Sequence, residues 1–306
     1  MIAAELSSEV QRLVADGEPF VLATVVRARR PTSVRPGDTA IVRRDGTIEG
    51  FVGGVCAESS VRLHSLRALQ TGEPLLLRLI PDGHVESSEE GDDGAVTEHN
   101  PCLSGGSLEI FLEPRLPPNR LVVVGGSPIA QALQRLAIAA GYDCRRTTVA
   151  ELGELEEVAA VVVAAHGSGQ EEAALEHALS GGVPYVALVA SPRRGSVVRD
   201  ALAVAPELRD RLHTPAGIDI GARTPAEIAI SILAELVAAA HREPAPRLRW
   251  CPPGSGPPVA VDPVCGMSVA VAPATAQLAL RSGPAYFCGE GCRERYAREH
   301  PDELLP

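Results

Sequence analysis

Three short apolar runs in the middle of the chain constrain its fold more than any other feature. They span residues 121–124, 158–165 and 185–190. An uninterrupted run of this length is typical of a parallel strand buried on both faces. Segments with helical patterns follow the runs, at 128–140, 170–180 and 225–241. This alternation predicts βαβ units and a Rossmann-like, doubly wound parallel sheet over residues 118–242.

The start of the last helix in this region is marked by its capping residues. Thr224, Pro225 and Glu227 occupy the N-cap, N1 and N3 positions of a capping box. The hydroxyl and the carboxylate each accept a backbone N–H that the helix itself leaves unpaired. We therefore expect the helix to begin at Pro225.

Residues 1–117 have the mixed pattern of an α+β domain. Helices are predicted near 5–15 and 55–71, and strands at 20–27, 39–43, 47–51, 75–80 and 108–112. Asp45-Gly46 supplies the positive φ of a hairpin turn, and Gly72 with Pro74 ends the second helix. Residues 82–101 are acidic and rich in glycine, which predicts a loop or lid.

The C-terminal part of the chain is separated from the rest by a proline-rich linker. Six prolines in residues 243–259 forbid a continuing helix or a central strand. Residues 260–306 form a small Cys-rich module that is too short to bury a large core, so a bound metal would help to stabilise it. The fold class is therefore α/β, with three folded parts and one linker.

Composition excludes several classes of function. The chain has 39 acidic and 28 basic residues, a net charge of −11, and every basic residue is Arg. Without lysine it has no Walker-type phosphate Lys, no pyridoxal Schiff base and no lysine general base. A net acidic chain with few aromatics is not expected to bind nucleic acid. It has no apolar run of membrane-spanning length and no signal-like N-terminus, so we expect no stable membrane insertion and a cytoplasmic location.

The first strand–helix turn of the middle domain is a candidate phosphate site. Gly125, Gly126 and Ser127 stand where the strand ends and the helix begins, and free N–H groups at a helix N-terminus attract anions. Further residues at the same predicted sheet edge are Arg145, Arg146, His166, Arg193 and Arg194. One alternative to a phosphate site is that the middle domain is a Rossmann-like scaffold that binds no ligand. An NAD(P)-dependent oxidoreductase is another, with Arg145 and Arg146 on a 2′-phosphate and His166 as acid/base.

Two glycine-flanked turns in the N-terminal domain each carry a thiol. One contains Gly53, Gly54, Cys56 and Glu58, and the other contains Cys102, Gly105 and Gly106. A glycine pair lets the backbone approach a ligand closely. The alternative is that both cysteines are buried small apolar residues near turns.

Three cysteines of the tail have the spacing of metal ligands. Cys265, Cys288 and Cys292 are separated by 22 and 3 residues. Thiolates select soft or borderline ions, so zinc, copper or iron is expected. A closed tetrahedral site needs a fourth ligand, for which Asp262, Cys251 and His300 are candidates. All seven cysteines are expected to be reduced, because nothing in the sequence indicates export.

Longer motifs carry a resemblance to a known family. They are GFVGGVCAE at 50–58, CLSGGSLEIFLEP at 102–114, YVALVASPRRG at 185–195 and GIDIGARTPAEIAISILAEL at 217–236. Over about residues 10–242 the chain resembles the XdhC/CoxI family of accessory factors for molybdenum hydroxylases. The tail resembles a YHS or TRASH-type metal-binding domain through DPVCGM, YFC and the final Cys-x3-Cys.

The resemblance implies a maturation factor rather than an enzyme. Such a chaperone binds the molybdenum cofactor (molybdopterin) transiently, assists its sulfuration, and inserts it into an apo hydroxylase such as xanthine dehydrogenase or carbon monoxide dehydrogenase. The implied partners are that apo hydroxylase and a sulfur-transfer enzyme, with a homodimer left open. Cys56 and Cys102 are expected near the metal, and the arginines near the pterin phosphate. A metal-sensing regulatory protein is a further alternative.

Overall fold

The computed structural model describes residues 4–81, 94–100, 106–165, 170–241 and 257–305. Two large sheets of different architecture organise most of these residues, and the tail adds two sheets of two strands each. The chain divides into two compact units. One combines Met1–Pro117 with Gly254–Pro306, and the other is Pro118–Pro253. The predicted α/β class is confirmed. Among the helices of the described ranges, none has both the length and the apolar character needed to cross a bilayer.

The N-terminal part of the first unit alternates helices and strands much as its sequence predicts. Its elements are α1 (Ala4–Asp16), β1 (Phe20–Arg29), β2 (Thr39–Arg43), β3 (Ile48–Gly50), α2 (Val55–Thr71), β4 (Leu75–Pro81), β5 (Ala95–Asn100) and β6 (Ser107–Arg115). Over these residues the strands form one sheet in the order β3-β2-β1-β6-β4-β5. Helix α2 packs Val61, Leu66 and Leu69 onto this sheet. It ends as predicted at Gly72, which adopts a positive φ and donates its N–H to the Ala68 carbonyl.

The expectation of a loop over residues 82–101 is wrong for residues 95–100. These residues form β5, which pairs in parallel with β4, with Leu76 opposite Ala95 and Pro81 opposite Asn100. The sequence AVTEHN lacks the apolar alternation of a half-buried strand, because β5 lies at the edge of the sheet. A contact with α2 also holds it, since Nε2 of His64 lies 3.1 Å from the Glu98 carboxylate.

The second unit is a parallel α/β domain. Its elements are β7 (Arg120–Val124), α3 (Pro128–Ala139), β8 (Asp143–Thr147), β9 (Val158–Val163), α4 (Gln170–Ser180), β10 (Tyr185–Leu188), α5 (Pro192–Ala201), α6 (Pro206–Arg209), β11 (Leu212–His213) and α7 (Pro225–His241). The described strands pair in parallel in the order β11-β10-β9-β7-β8. The strand order reverses between β7 and β9, which is where ligands bind in sheets of this kind.

Helices cover both faces of this sheet, which accounts for the apolar runs. Leu121 and Val123 of β7 pack with α3 and α7 on one face. Val122 and Val124 pack with α4 and α5 on the other. Since both faces of β7 are buried, the residues in the interior of this strand are all apolar. The capping box is also confirmed, because Glu227 donates its N–H to the Thr224 hydroxyl and accepts the Thr224 N–H.

Helix α5 is absent from the predicted elements. The segment Ser191–Gly195, predicted only to follow a strand and to place two arginines at the sheet edge, is the N-cap and first turn of this helix. Ser191 accepts the Arg194 N–H, and Pro192 occupies the first helical position. Ser191 at the N-cap and Pro192 at N1 indicate the start of a helix, but only the two arginines of this segment entered the sequence-based prediction.

The tail is built from two hairpins and a helix. Its elements are β12 (Val259–Val261), β13 (Ser268–Ala270), β14 (Ala276–Leu280), β15 (Gly283–Phe287) and α8 (Glu290–Glu299). Strand β12 pairs with β13, and β14 pairs with β15, both antiparallel. Helix α8 begins two residues after Cys288, so Cys292 lies in its first turn.

Candidate functional site

The first turn of α2 forms part of the wall of a cleft in the N-terminal unit, which we call the α2 cleft. The cleft has a volume of about 710 Å³, and its lining includes Thr32, Ser33, Gly54, Cys56 and Gly106. A volume in this range suits a small-molecule ligand. The structure therefore brings three of the predicted site residues, Gly54, Cys56 and Gly106, to one cavity.

Glycines shape this cleft by allowing close backbone contacts. A Cβ on Gly106 would overlap the carbonyl oxygen of Pro31. Gly53 has a φ of +140°, and a Cβ there would lie 2.8 Å from Cβ of Ala57, so the turn into α2 requires glycine. Glu58 is not among the lining residues. It lies near Arg62, whose guanidinium donates to the Gly46 carbonyl.

The tail packs against this same end of α2. Gly289 lies against Val55, and a Cβ on Gly289 would overlap Cγ1 of that valine. Ala270 of β13 belongs to the hydrophobic core beneath α2. At the Asp45-Gly46 hairpin turn, the Ala274 N–H donates to the Asp45 carbonyl at 3.3 Å. The tail is thus part of the N-terminal unit and not a separate body.

The three predicted metal ligands of the tail lie together. Sγ of Cys288 is 3.7 Å from Sγ of Cys265 and 3.5 Å from Sγ of Cys292. Sulfurs bound tetrahedrally to one zinc ion, with bonds of about 2.3 Å, are about 3.8 Å apart. The spacing of the thiols therefore fits a single soft or borderline ion.

Asp262 completes a group of four potential ligands, whose ligating atoms all lie within 4.8 Å of one another. Its carboxylate is nevertheless occupied. One oxygen accepts the N–H groups of Val264 and Cys265, and the other accepts that of Cys288 at 2.7 Å. The side chain is fully buried. Asp262 therefore holds two of the cysteine-bearing loops in place and has little capacity left to bind an ion.

Of the other two candidates for a fourth ligand, only His300 lies within the described residues, and it does not join the group. His300 lies against Tyr296, with ring centroids 4.4 Å apart, and its Nδ1 is 3.5 Å from the Glu303 carboxylate. Cys251 lies outside the described residues. Cys56, which sequence reasoning assigned to a different site, packs against Cys288 within the same small apolar cluster.

The surroundings of these thiols disfavour their charged forms. Burial raises the pKa of Cys265 to about 11, and the nearby Asp262 carboxylate adds to the effect. The Cys56 thiol, followed by burial and Asp262, raises the pKa of Cys288 strongly. Burial opposes ionisation of Asp262, but the N–H groups of Cys288 and Val264 hold its pKa below its usual range. A metal must therefore displace protons from the cysteines when it binds.

The glycine turn of the parallel domain follows β7 and precedes α3, as predicted, and β7 lies at the reversal of strand order. A Cβ on Gly125 would lie 2.8 Å from backbone atoms of Ala164, whereas one on Gly126 would meet no atom of the described residues within 4 Å. Ser127 caps α3 by accepting the Ala130 N–H at 3.1 Å. Pro128 takes the first helical position. The turn thus offers a helix N-terminus beside open space, as an anion site requires.

The four arginines predicted for the sheet edge of this domain differ in their contacts and in their exposure to solvent. Arg145 donates to the Leu152 carbonyl at 3.1 Å. Arg194 is ion-paired with Glu171, whose side chain is buried. Arg146 and Arg193 are exposed. Strand β8 ends at Thr147, so neither Arg145 nor Arg146 occupies its carboxyl end. Cys102, Gly105 and His166 were also predicted and lie outside the described residues.

A polar network around Glu235 has no counterpart in the sequence-based predictions. The Glu235 carboxylate accepts the Tyr185 hydroxyl at 2.8 Å and the Gly217 N–H at 2.6 Å, and it lies 2.9 Å from Nδ1 of His213. Burial opposes its ionisation, but these partners hold the pKa of Glu235 below its usual range. The network joins α7 to β10, β11 and the segment that leads into α7. No local motif signals it, because its members come from separate elements.

We expect Glu235→Gln to destabilise the Pro118–Pro253 unit by about 2 kcal/mol, since the amide cannot replace all three contacts. Because its folded pKa is lowered, ionised Glu235 stabilises the unit above the ordinary carboxyl pKa. That contribution is lost as the pH falls through the lowered pKa. Hydrogen exchange of residues 185–188 and 225–241 measures both effects, with the exposed Glu207→Gln as the control. Equal exchange in the two variants would show that the network contributes little.

Comparison with known proteins gives matches over both larger parts of the chain. Residues 13–79 match the model of the XdhC and CoxI family, and residues 121–236 match the model of the XdhC Rossmann domain. The chain is 29% identical over 263 residues to uncharacterized protein YqeB of Escherichia coli (strain K12), covering 78% of this chain and 46% of that protein. It thus spans about half the length of this curated relative.

A solved structure gives a more distant match. It is described as a xanthine dehydrogenase from Bacillus halodurans, is 17% identical, and superposes with a TM-score of 0.38 over 77% of this chain and 96% of that chain. The assignment depends instead on the two family models, which cover the α2 region and the parallel domain described above. The chain therefore belongs to the XdhC/CoxI family.

Proposed function

We propose that this chain is a maturation factor for a molybdenum hydroxylase of the xanthine dehydrogenase or carbon monoxide dehydrogenase type. In this role it binds the molybdenum cofactor transiently in the cytoplasm, assists its sulfuration by a sulfur-transfer enzyme, and passes it to the apo hydroxylase. Support comes from membership of the XdhC/CoxI family, whose two models cover the first turn of α2 and the glycine turn of the parallel domain.

The α2 cleft is the single observation that carries this proposal. It has the volume of a small-molecule site, and Cys56 lies on its wall in the first turn of a helix. A helix N-terminus favours a negative charge nearby, and a thiol is a ligand for a soft metal or its sulfur. Gly54 and Gly106 border the same space. Cys102 and Gly105, close to Gly106 in sequence, are proposed to contribute to the same site.

The parallel domain is proposed to hold the phosphate of the pterin. Gly125, Gly126 and Ser127 form a capped helix N-terminus beside open space, which supports an anion there. His166, Arg146 and Arg193 remain proposed contributors. Arg145 and Arg194 would first have to leave the Leu152 carbonyl and Glu171. For the same reason the geometry favours a maturation role over an oxidoreductase that uses Arg145 on a 2′-phosphate.

The tail is proposed to be a YHS-type domain that binds zinc, copper or iron through Cys265, Cys288 and Cys292. Their sulfur spacing and the predominance of thiols in the group support this assignment.

Cofactor retention tests the proposed function. The full chain is incubated anaerobically with a cofactor-loaded extract, reisolated, and assayed for bound pterin. We expect the wild type to retain pterin and Cys56→Ala to retain at least about tenfold less, as expected for the loss of a metal–thiolate contact. Cys144→Ala, a buried cysteine of the parallel domain, is the matched control. Cys292→Ala removes a tail ligand outside the cleft and should retain pterin. No retention by the wild type, or full retention by Cys56→Ala, would contradict the proposal.

A further inference from the structure

The contact between the tail and α2 brings Cys56 to the tail thiols. Cys56 packs against the cluster formed by Met267, Val269 and Cys288. The neighbouring residues are also in contact, since Gly289 lies directly against Val55. This arrangement joins two cysteines that are far apart in the sequence, and it places the thiol of one domain beside the candidate metal site of the other.

The tail by itself is one ligand short of a closed tetrahedral site. Its three thiols have sulfur spacings of 3.5 and 3.7 Å along the group. The remaining potential ligand, Asp262, is buried and accepts three backbone N–H groups. Removing a carboxylate oxygen from buried N–H donors is costly, so Asp262 is a poor fourth ligand. The Cys56 thiol lies outside that group of four but packs against the apolar cluster that contains Cys288, and a thiol is a softer ligand than a carboxylate.

We propose that Cys56 is the fourth thiolate of a metal site shared by the two domains, Cys56–Cys265–Cys288–Cys292, which takes a zinc or cuprous ion. In this site the ion links the tail to the first turn of α2. Asp262 acts as a positioning residue, because it fixes the backbone of Cys265 and Cys288. Four thiolates favour a soft or borderline ion over Mg²⁺ or Ca²⁺.

The shared site also gives the metal a place in the cleft wall. Cys56 lines the cleft and contacts the tail cluster, so one thiol serves both. This consequence rests on the proposed function: if the cleft receives the cofactor, a metal held by Cys56 and the cofactor compete for the same sulfur. The metal site itself does not depend on that function, and it can be tested without any cofactor.

Cobalt(II) alone serves as a spectroscopic probe of the reduced full chain, because it takes the tetrahedral geometry of zinc. We expect wild type to give the thiolate-to-cobalt absorption of four thiolates. Cys56→Ser should lose about a quarter of that intensity and bind zinc at least about tenfold more weakly in chelator competition. Cys144→Ser is the control and should match wild type. If Cys56→Ser behaves as wild type, the proposal is overturned. If Cys251→Ser shows the loss instead, the fourth thiolate comes from the linker and the proposal is likewise overturned.

A steric variant tests the shared site without removing a ligand. In Gly289→Ala the new methyl group overlaps Val55, a β-branched residue at the start of α2 that cannot easily move aside. We expect it to separate the tail from Cys56 and to weaken zinc binding by about tenfold. The double variant Gly289→Ala/Val55→Ala removes the overlap and should recover wild-type affinity within about twofold. Normal binding by Gly289→Ala, or weak binding that the second change does not rescue, would contradict a site that needs both domains.

Discussion

Replacing Asp262 with alanine is expected to unfold the tail while leaving the parallel domain intact. The Asp262 carboxylate accepts the N–H groups of Val264, Cys265 and Cys288, and the side chain is fully buried. Alanine leaves these donors without their acceptor. A hydrogen bond to a buried charged group contributes more than a neutral one, so we expect a loss of at least about 3 kcal/mol.

The small size of the tail makes this loss decisive. A segment of this length has little hydrophobic core, so its stability without metal is low. Its small apolar cluster is centred on Met267, Val269 and Cys288. Two of the three proposed tail ligands also depend on Asp262 for the position of their backbone. Asp262→Ala should therefore lose metal affinity together with folded structure.

Hydrogen exchange of residues 257–305 in the full chain measures this effect, with residues 120–163 as an internal reference. The control is Asp302→Ala, because Asp302 is an exposed carboxylate of the same tail. Asp262→Asn should give an intermediate result, since the amide keeps one acceptor oxygen and turns the other into a donor. Protection of the tail that is unchanged in Asp262→Ala would show that the carboxylate does not hold these loops.

Most helices and strands could be predicted from short sequence motifs, because the interactions that define where they begin and end involve residues close together in the chain. The apolar runs became β7, β9 and β10, since a strand covered on both faces admits few polar residues. The helix starts at Ser127 and Thr224 were predictable from capping residues. Gly72 ended α2 where predicted, because a positive φ there suits glycine.

Features that depend on partners distant in the chain were not predictable. Strand β5 is held by its neighbour β4 and by His64, and its own sequence is polar. The docking of the tail depends on small residues such as Ala270 and Gly289, which form no recognisable motif. The same contact brings Cys56 to Cys288, so sequence reasoning assigned these thiols to two unrelated sites.

The second large effect is expected at the glycine turn of the parallel domain, where two adjacent glycines have different roles. Gly125 has a φ of +123°, and a Cβ there would lie 2.8 Å from the carbonyl carbon and oxygen of Ala164 and the nitrogen of Ala165. Alanine would meet both a strained backbone conformation and rigid backbone atoms of the adjoining chain. We expect Gly125→Ala to destabilise the Pro118–Pro253 unit by about 3 kcal/mol.

Gly126→Ala is the matched control, because a Cβ at Gly126 meets no atom of the described residues within 4 Å and no positive φ opposes the substitution. Its stability should remain within about 0.5 kcal/mol of wild type, as measured by hydrogen exchange of β7 and β9. The new methyl group nevertheless enters the open space beside the α3 N-terminus. If this turn holds the pterin phosphate, Gly126→Ala should retain less cofactor while remaining folded. Full retention of the cofactor would indicate that the turn has a structural role only. The close packing of Gly125 against Ala164 would then be sufficient to explain why glycine is needed there.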